Sequence, residues 1–316
     1  MRILVTGGSG FIGRFLLRSA VERGHEVVGT FLAAGELEKT PDLPSSVRWE
    51  PLDLRDRTSV DRVVDAARPD AVFHLGAQAY AGRAWRAPVE TFEINVLGTV
   101  YLYEALRRHP PEHGVFLASS AAAYGPVDRQ PTTEDTVLRP VNPYGVSKAS
   151  QDMLSLQYAT NFGVRIVRGR LFITTGPGKS GDALNDFAQR VAAIERTGRP
   201  GKLRVGNLEV RRDISDVRDV IRAIWAVFER GDPKQPINIG AGRSYSIRAV
   251  AETLVRLARV PVTLEPDPAL FRPTDEAEIR SDIGRLQALG YTPTIPLETT
   301  IEDSLDHWRK FGTDPA

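Results

Sequence analysis

Short aliphatic runs alternate with amphipathic stretches through the first half of the chain. Ile3-Leu4-Val5, Glu26-Val27-Val28-Gly29-Thr30, Val47-Arg48-Trp49, Ala71-Val72-Phe73-His74-Leu75, Val115-Phe116-Leu117-Ala118 and Arg165-Ile166-Val167 predict strands. Between the first two, Ile12, Phe15, Leu16 and Ala20 fall on one face of a helix, which Gly24-His25 ends. Apolar residues around 92–108 and 144–160 predict two more helices, with apolar positions beyond one face. Strand and helix in strict alternation predict an α/β fold: a doubly wound parallel sheet covered on both faces. Ligands of such sheets sit beyond the carboxyl ends of the strands, where most of the motifs below fall.

After about residue 170 the rhythm changes. Gly176-Pro177-Gly178-Lys179 and Gly198-Arg199-Pro200-Gly201 interrupt it, followed by predicted helices at 216–230 and 246–258 and a short strand, Ile237-Asn238-Ile239. The expected organisation is a sheet region over 1–169 and a smaller α/β substrate-binding region over 170–316, interleaved with the first. The 41 Lys and Arg against 40 Asp and Glu give a net charge of +1, and the basic residues form no stripe interleaved with aromatics. Neither nucleic acid nor an anionic membrane is therefore an expected partner. The absence of cysteine excludes disulfides, thiolate metal sites and a cysteine nucleophile. The five histidines are scattered, and His109 and His113 flank Pro110-Pro111 in a turn, so no metal is expected. No apolar run approaches the roughly 18 residues of a membrane span, and Met1 to Gly7 run straight into structure; a cytoplasmic protein is expected.

Two motifs carry chemistry. Gly7-Gly8-Ser9-Gly10-Phe11-Ile12-Gly13 follows a strand and opens a helix. Small residues there let the backbone approach a pyrophosphate, and the helix N-terminus offers free N–H groups and a positive dipole. An acid about twenty residues on would favour NAD, and a basic residue NADP. Thr30-Phe31-Leu32-Ala33 supplies neither; with no carboxylate to repel a 2′-phosphate and Thr30 able to donate to it, NADP(H) is preferred and NAD(H) stays open. Asp53-Leu54 reads equally as an adenine contact or a solvated loop.

The second motif is Tyr144-Gly145-Val146-Ser147-Lys148, a Tyr and Lys four apart on one helix face. An ammonium beside a phenol lowers its pKa, so the Tyr can exchange a proton with a carbinol or ketone oxygen. Ser119-Ser120, ending a predicted strand, would turn a hydroxyl into the same cleft. Arg83, Trp85 and Arg86, in a predicted loop after the fourth strand, read equally as sugar or base contacts and as a surface cluster.

Together with His74-Leu75-Gly76-Ala77-Gln78 and Asn95-Val96-Leu97-Gly98-Thr99, these motifs make the chain resemble the extended short-chain dehydrogenase/reductases acting on nucleotide sugars, from residue 1 to about 308. Val205 to Asp219 and Arg272-Pro273-Thr274-Asp275 are similar to the branch of GDP-mannose 4,6-dehydratases and GDP-4-dehydro-6-deoxymannose reductases. The resemblance implies a Rossmann domain with Ser120, Tyr144 and Lys148 as catalytic residues. It implies cofactor contacts from Gly7, Gly10, Phe11, Ile12, Gly13, Thr30, Asp53, Leu54, Leu75, Gly76, Ala77, Asn95, Ser119, Tyr144, Lys148 and Leu171. For the substrate it implies Gln78, Ser120, Ala121, Tyr144, Thr174, Lys179, Val205, Asn207, Arg212 and Arg272, and it implies a homodimer through the helices near 92–108 and 144–160.

The chain departs from that family's pattern twice. Where dehydratases of the family carry an acid after the catalytic hydroxyl, Ala121 and Ala122 stand here; a methyl group moves no proton, so 4-keto reduction of a GDP-6-deoxyhexose is expected in place of dehydration. Ile173 stands where the family has an Asn bonding the substrate diphosphate, which leaves Thr174, Thr175 or Lys179 to compensate. A nucleotide-sugar 4-epimerase with bound NAD is the alternative reading. A non-catalytic dinucleotide sensor is a remote third, since such proteins commonly lose the Tyr or Lys retained here.

Overall fold

The computed structural model describes residues 1–38, 43–271 and 276–312. In chain order its strands are β1 (Arg2–Thr6), β2 (Glu26–Phe31), β3 (Arg48–Pro51), β4 (Ala71–His74), β5 (Gly114–Ser120), β6 (Ile166–Leu171), β7 (Ile173–Thr175), β8 (Gly201–Val205), β9 (Arg211–Asp216), β10 (Pro236–Ile239), β11 (Ser244–Ser246), β12 (Val262–Pro266) and β13 (Glu278–Ile279). The helices are α1 (Phe11–Glu22), α2 (Gly35–Glu38), α3 (Arg57–Ala67), α4 (Ala81–Arg86), α5 (Pro88–Phe92), α6 (Gly98–Arg108), α7 (Pro143–Phe162), α8 (Ala183–Arg196), α9 (Val217–Arg230), α10 (Ile247–Leu257), α11 (Gly284–Ala288) and α12 (Leu297–Phe311).

The main sheet runs β10-β6-β5-β4-β1-β2-β3, and every neighbouring pair is parallel. Strand order reverses between β1 and β4, so their carboxyl ends open the crevice at which such sheets bind nucleotides. One face is covered by α1 and α9, whose Leu16, Ala20, Ile224 and Trp225 are buried against Ile3, Phe73 and Phe116. The other carries α3, α6 and α7, with Val60, Leu102, Leu106 and Tyr158 packed on Leu4, Val72 and Leu117. Continuous apolar strands are the consequence of this double cover.

The expected division near residue 170 is crossed by the chain. β10, read from sequence as part of the smaller region, adds to the main sheet beside β6, and α9 supplies much of one core layer. What remains after residue 170 builds a third core in which α8, α10 and α12 enclose Leu203, Val205 and Ile214. On α1 the buried positions are Gly13, Leu16, Leu17 and Ala20, while Ile12 and Phe15 are half-buried at the edge of the core; the predicted face is rotated by about one residue. Arg83, Trp85 and Arg86 lie on the short helix α4 rather than in a loop. Among the described residues no helix is long and apolar enough to cross a membrane.

Local chemistry sets where α7 begins, and so where Tyr144 stands. Asn142 caps it by accepting Gly145 N–H at 2.8 Å, and Pro143 occupies the first turn, where its missing N–H costs nothing. Gly163 ends it in the left-handed conformation, at φ 68°.

Candidate active site

The glycine turn joins β1 to α1 and is bound into the sheet from both sides. Gly7, at φ 69°, lies so close to Gly76 that a Cβ would stand 2.8 Å from its Cα, and a Cβ on Gly13 would stand 2.2 Å from Gly7 O. Thr30 Oγ1 accepts Gly7 N–H at 3.1 Å from the end of β2. The N-terminus of α1 has no side-chain cap and no acid in its first turn, which leaves its backbone donors and positive dipole for an anion. A backbone cradle with no room for side chains, ending in an open helix N-terminus, fits the pyrophosphate of a dinucleotide. Phe11, on the first turn, packs edge-on to Phe15, and Lys179 Nζ lies 5.2 Å from its ring.

Beyond β4, Leu75-Gly76-Ala77 follows the same crevice. Gly76 N donates to Thr6 Oγ1 at 3.1 Å, and Thr6 Oγ1 meets His74 Nδ1 at 2.7 Å. His74 Nε2 meets Thr99 Oγ1 at 2.9 Å. Thr99 Oγ1 donates its one proton to Asn95 O and accepts from Gln151 Nε2, so the bond from His74 requires a proton on Nε2. His74 is thus the neutral Nε2–H tautomer, as its full burial demands: desolvation depresses its pKa to about 3. Asn95 sits in a single π-turn over Glu93–Leu97, a rare distortion found mostly at functional sites. It accepts Gln78 N–H at 2.8 Å and donates to Gln78 O and to Ser147 Oγ. Asn95 therefore couples the end of β4 to α7 and is fully buried; its side chain organises the site from behind.

Ser120, Tyr144 and Lys148 converge at the end of β5. Ser120 Oγ accepts Ala122 N–H at 3.2 Å in the turn that leaves the strand. Burial raises the Tyr144 pKa above the ordinary phenol, and a hydrogen bond with Ser120 pulls it back. Lys148, 4% exposed, donates from Nζ to Ala118 O at 2.9 Å, and burial drops its pKa to about 7. The sequence reading has Lys148 acidifying the phenol; in the structure its ammonium is held by a β5 carbonyl, and Ser120 offsets part of the effect of burial on Tyr144. Ser119, the neighbouring cofactor candidate, is buried with an Oγ that finds no partner among the described residues, an orphan hydroxyl beside the same crevice.

The Lys148 shift has a consequence for stability. The fold releases this proton at about pH 7, whereas an unfolded lysine holds it to about pH 10.4. Across that window the unfolded state binds more protons, so this group makes stability rise with pH. Lys148→Met is expected to flatten the rise of urea-unfolding free energy between about pH 7 and 10; an unchanged slope would show that the ammonium is not desolvated.

The expected substrate residues divide. Lys179 lies in the Gly176–Gly181 loop, which approaches Phe11 and also Tyr80, whose OH is 3.5 Å from Ser180 Oγ. Ala121 opens the turn after Ser120, half-buried in the same crevice. Arg212 is half-buried on β9 and donates to Arg211 O and Glu276 O. Arg272 lies outside the described residues. Gln78 is occupied internally, donating to Tyr80 O and Thr91 Oγ1 and accepting Tyr80 N–H. Thr174 is buried and donates to Phe172 O, and Thr175 donates to Asp182, the cap of α8. Val205 is fully buried in the third core, so its side chain presents no surface to a ligand; Asn207 accepts Glu209 N–H in the turn that follows β8. Ile173 is 38% exposed, an apolar surface where the family pattern has an amide.

Among the expected cofactor residues, Leu54 and Leu171 are buried, with Leu54 packed on Gly76 and Gly98. Asp53 accepts from Nε and Nη2 of Arg55, and these hydrogen bonds lower its pKa. Thr30 is 2% exposed and bonded beneath Gly7, so its hydroxyl supports the turn rather than facing a ribose.

One cluster had no signal in the motif spacing. Asp152, one turn beyond Lys148 on α7, accepts from Arg168 Nη1 at 3.0 Å and from Arg170 Nε at 2.9 Å, with all three side chains buried. Arg170 also donates to Tyr124 OH and Glu134 O. Burial works against its charge, but the Asp152 bonds outweigh it and raise its pKa, whereas burial lowers that of Arg168. The cluster ties the helix bearing Tyr144 and Lys148 to β6.

Residues 4–304 match the GDP-mannose 4,6 dehydratase family. The chain is 32% identical over 313 residues to the GDP-6-deoxy-D-mannose reductase of Pseudomonas aeruginosa, with 97% of each chain covered. Its fold is similar to the structure of RMD from Pseudomonas aeruginosa complexed with NADPH, at TM-score 0.82 and 28% identity, covering 98% of this chain and 99% of that one. It is also similar to the UDP-glucose 4-epimerase of Thermus thermophilus in complex with NAD, at TM-score 0.85 and 30% identity, with the same coverage. With the parallel sheet, the glycine turn and the Ser120, Tyr144 and Lys148 cluster already in view, these matches identify the chain as a member of the GDP-mannose 4,6-dehydratase family, an NAD(P)-dependent nucleotide-sugar enzyme of the extended short-chain dehydrogenase/reductases.

Proposed function

We propose that the protein reduces the 4-keto group of a nucleotide-activated 6-deoxyhexose, with GDP-4-dehydro-6-deoxy-D-mannose as substrate and GDP-D-rhamnose or its C4 epimer as product. The observation that carries this is chemical: the turn after Ser120 offers only the methyl groups of Ala121 and Ala122. Elimination across C5 and C6 needs a side chain that moves a proton there, and a methyl group moves none. Carbonyl reduction needs only the hydroxyl–phenol–ammonium set that is present.

A reduced nicotinamide, when bound, supplies the hydride. Tyr144 gives its proton to the carbonyl oxygen, and Ser120, whose hydroxyl offsets the effect of burial on that phenol, orients the same oxygen. The phenolate left on Tyr144 is stabilised by Ser120 and by the charge of Lys148. Gly7, Gly10 and Gly13, with the free end of α1, hold the pyrophosphate; Lys179, against Phe11, provides positive charge for the sugar-nucleotide diphosphate, a role left open by Ile173.

A 4-epimerase would use the same three side chains on a permanently held NAD. The observation that favours this second reading is the Glu36 carboxylate beside the glycine turn, which suits NAD. Denaturing the purified protein distinguishes the two. The reductase reading expects far less than one nicotinamide released per chain, and stoichiometric NAD would favour the epimerase.

The homodimer rests on α7 and the turn before α6. Val146, Met153 and Leu156 on α7 and Leu97 nearby are exposed apolar side chains, and Val146 and Met153 are two turns apart on one stripe. Met153→Asp is expected to halve the mass measured by light scattering after size exclusion. A monomeric parent protein would refute this assembly.

A further inference from the structure

The acid that the sequence lacks at the end of β2 is supplied from farther along the chain. β2 ends at Phe31, and the chain turns into α2, which brings Glu36 back to the glycine turn. Ser9 Oγ donates to Glu36 Oε2 at 2.6 Å, and Leu32 N donates to the same oxygen at 3.2 Å. Ser9 is itself tied to the strand through its N–H to Thr30 O at 3.2 Å. A carboxylate has about four acceptor positions, and these bonds occupy two. The side chain is thus fixed at the carboxyl ends of β1 and β2, half-buried, on the side where the adenosine ribose of a dinucleotide lies in such sheets.

We infer that Glu36 is the residue that makes this protein select NAD(H) over NADP(H). The inference rests on the reading of the chain as a dinucleotide enzyme and reverses the preference that its sequence suggests. A ribose diol has two donors for a carboxylate, whereas a 2′-phosphate brings about two negative charges against it. Residues 30–38, from the end of β2 through α2, contain no Lys or Arg. Thr30, the hydroxyl that could have met a phosphate, is buried under Gly7. A like charge within a few ångströms changes such equilibria by about 10- to 1000-fold, and partial exposure puts the expectation at the lower end.

The test is direct binding of NADH and NADPH to the dinucleotide-free full-length protein, read from nicotinamide fluorescence without any sugar substrate. Wild type is expected to bind NADH at least about 10-fold more tightly than NADPH. Glu36→Gln keeps an acceptor for Ser9 but removes the charge, and should shrink that ratio about 10-fold, chiefly by tightening NADPH. Ser9→Ala, which frees the carboxylate from its anchor, should shrink it by less, and it remains informative if Glu36→Gln misfolds. Equal affinities in wild type, tighter NADPH, or a ratio unmoved by Glu36→Gln would overturn the proposal. Failure of wild type to bind either dinucleotide would overturn the reading beneath it as well.

Discussion

Tyr144→Phe is expected to lower kcat for ketone reduction by about 10²- to 10⁴-fold, with little change in the affinity for dinucleotide. The substitution removes one oxygen and the proton it carries. Among the described residues none at the end of β5 replaces that proton: Ser120 is an alcohol of far higher pKa, Lys148 is directed at Ala118 O, and Ala121 and Ala122 are inert. The loss should therefore fall on kcat, because the phenol acts on the carbonyl in the transition state and contributes little to the ground-state complex. The Tyr144 pKa is raised by burial and partly relieved by Ser120, so the phenol is protonated at neutral pH, the form that reduction requires. Ser120→Ala removes that relief and should shift the alkaline limb of the pH–rate profile upward while lowering kcat. Steady-state kinetics across pH check both. A Tyr144→Phe protein with near-normal kcat would show that another group delivers the proton.

Asp152→Ala is expected to destabilise the fold by about 3–5 kcal/mol, the range for breaking a buried ion pair by removing one partner. Asp152 is the carboxylate that contacts both Arg168 and Arg170, and its loss leaves two buried guanidiniums side by side, disfavouring one another. Arg170 keeps Tyr124 OH and Glu134 O, and Arg168 keeps the carbonyls of Pro233 and Lys234; these neutral acceptors do not cancel charge. Asp152→Asn retains shape and should still cost most of that amount. Urea unfolding measures it, and a change under about 1 kcal/mol would mean that the cluster relaxes or admits water. Because Asp152 stands one turn beyond Lys148, the same variant tests whether α7 keeps its position on β6.

How much of this was legible beforehand follows physical lines. The strands of the main sheet were readable because burial on both faces makes them continuous apolar runs, and the glycine turn because backbone crowding at Gly7 and Gly13 admits no other residue. The Ser120, Tyr144 and Lys148 convergence was legible from helical spacing and from a strand end, both fixed by local geometry. β10 was not assigned to its sheet, since a strand of four residues carries no record of its neighbour. Gln78 and Val205 were expected to meet substrate, yet the first is consumed by the bonds of its own turn and the second by the third core. Asp152 was invisible because an acid on a helix gives no sign of the two arginines on β6 it will meet. Glu36 was missed for a related reason: an acid is expected at the end of the strand itself, whereas the chain needs only one short helix to bring a carboxylate back to the same place.

The proposed reaction is net reduction at a single carbon. It is tested most directly by mixing the purified protein with NADH or NADPH and enzymatically prepared GDP-4-dehydro-6-deoxy-D-mannose, following loss of the reduced-nicotinamide absorbance and identifying the product by NMR. One reduced cofactor is expected to be consumed per sugar converted, giving a GDP-6-deoxyhexose that bears a C4 hydroxyl, with both lost in Tyr144→Phe. No consumption of either cofactor, with C4 inversion of an unreduced nucleotide sugar in its place, would contradict it and establish the epimerase.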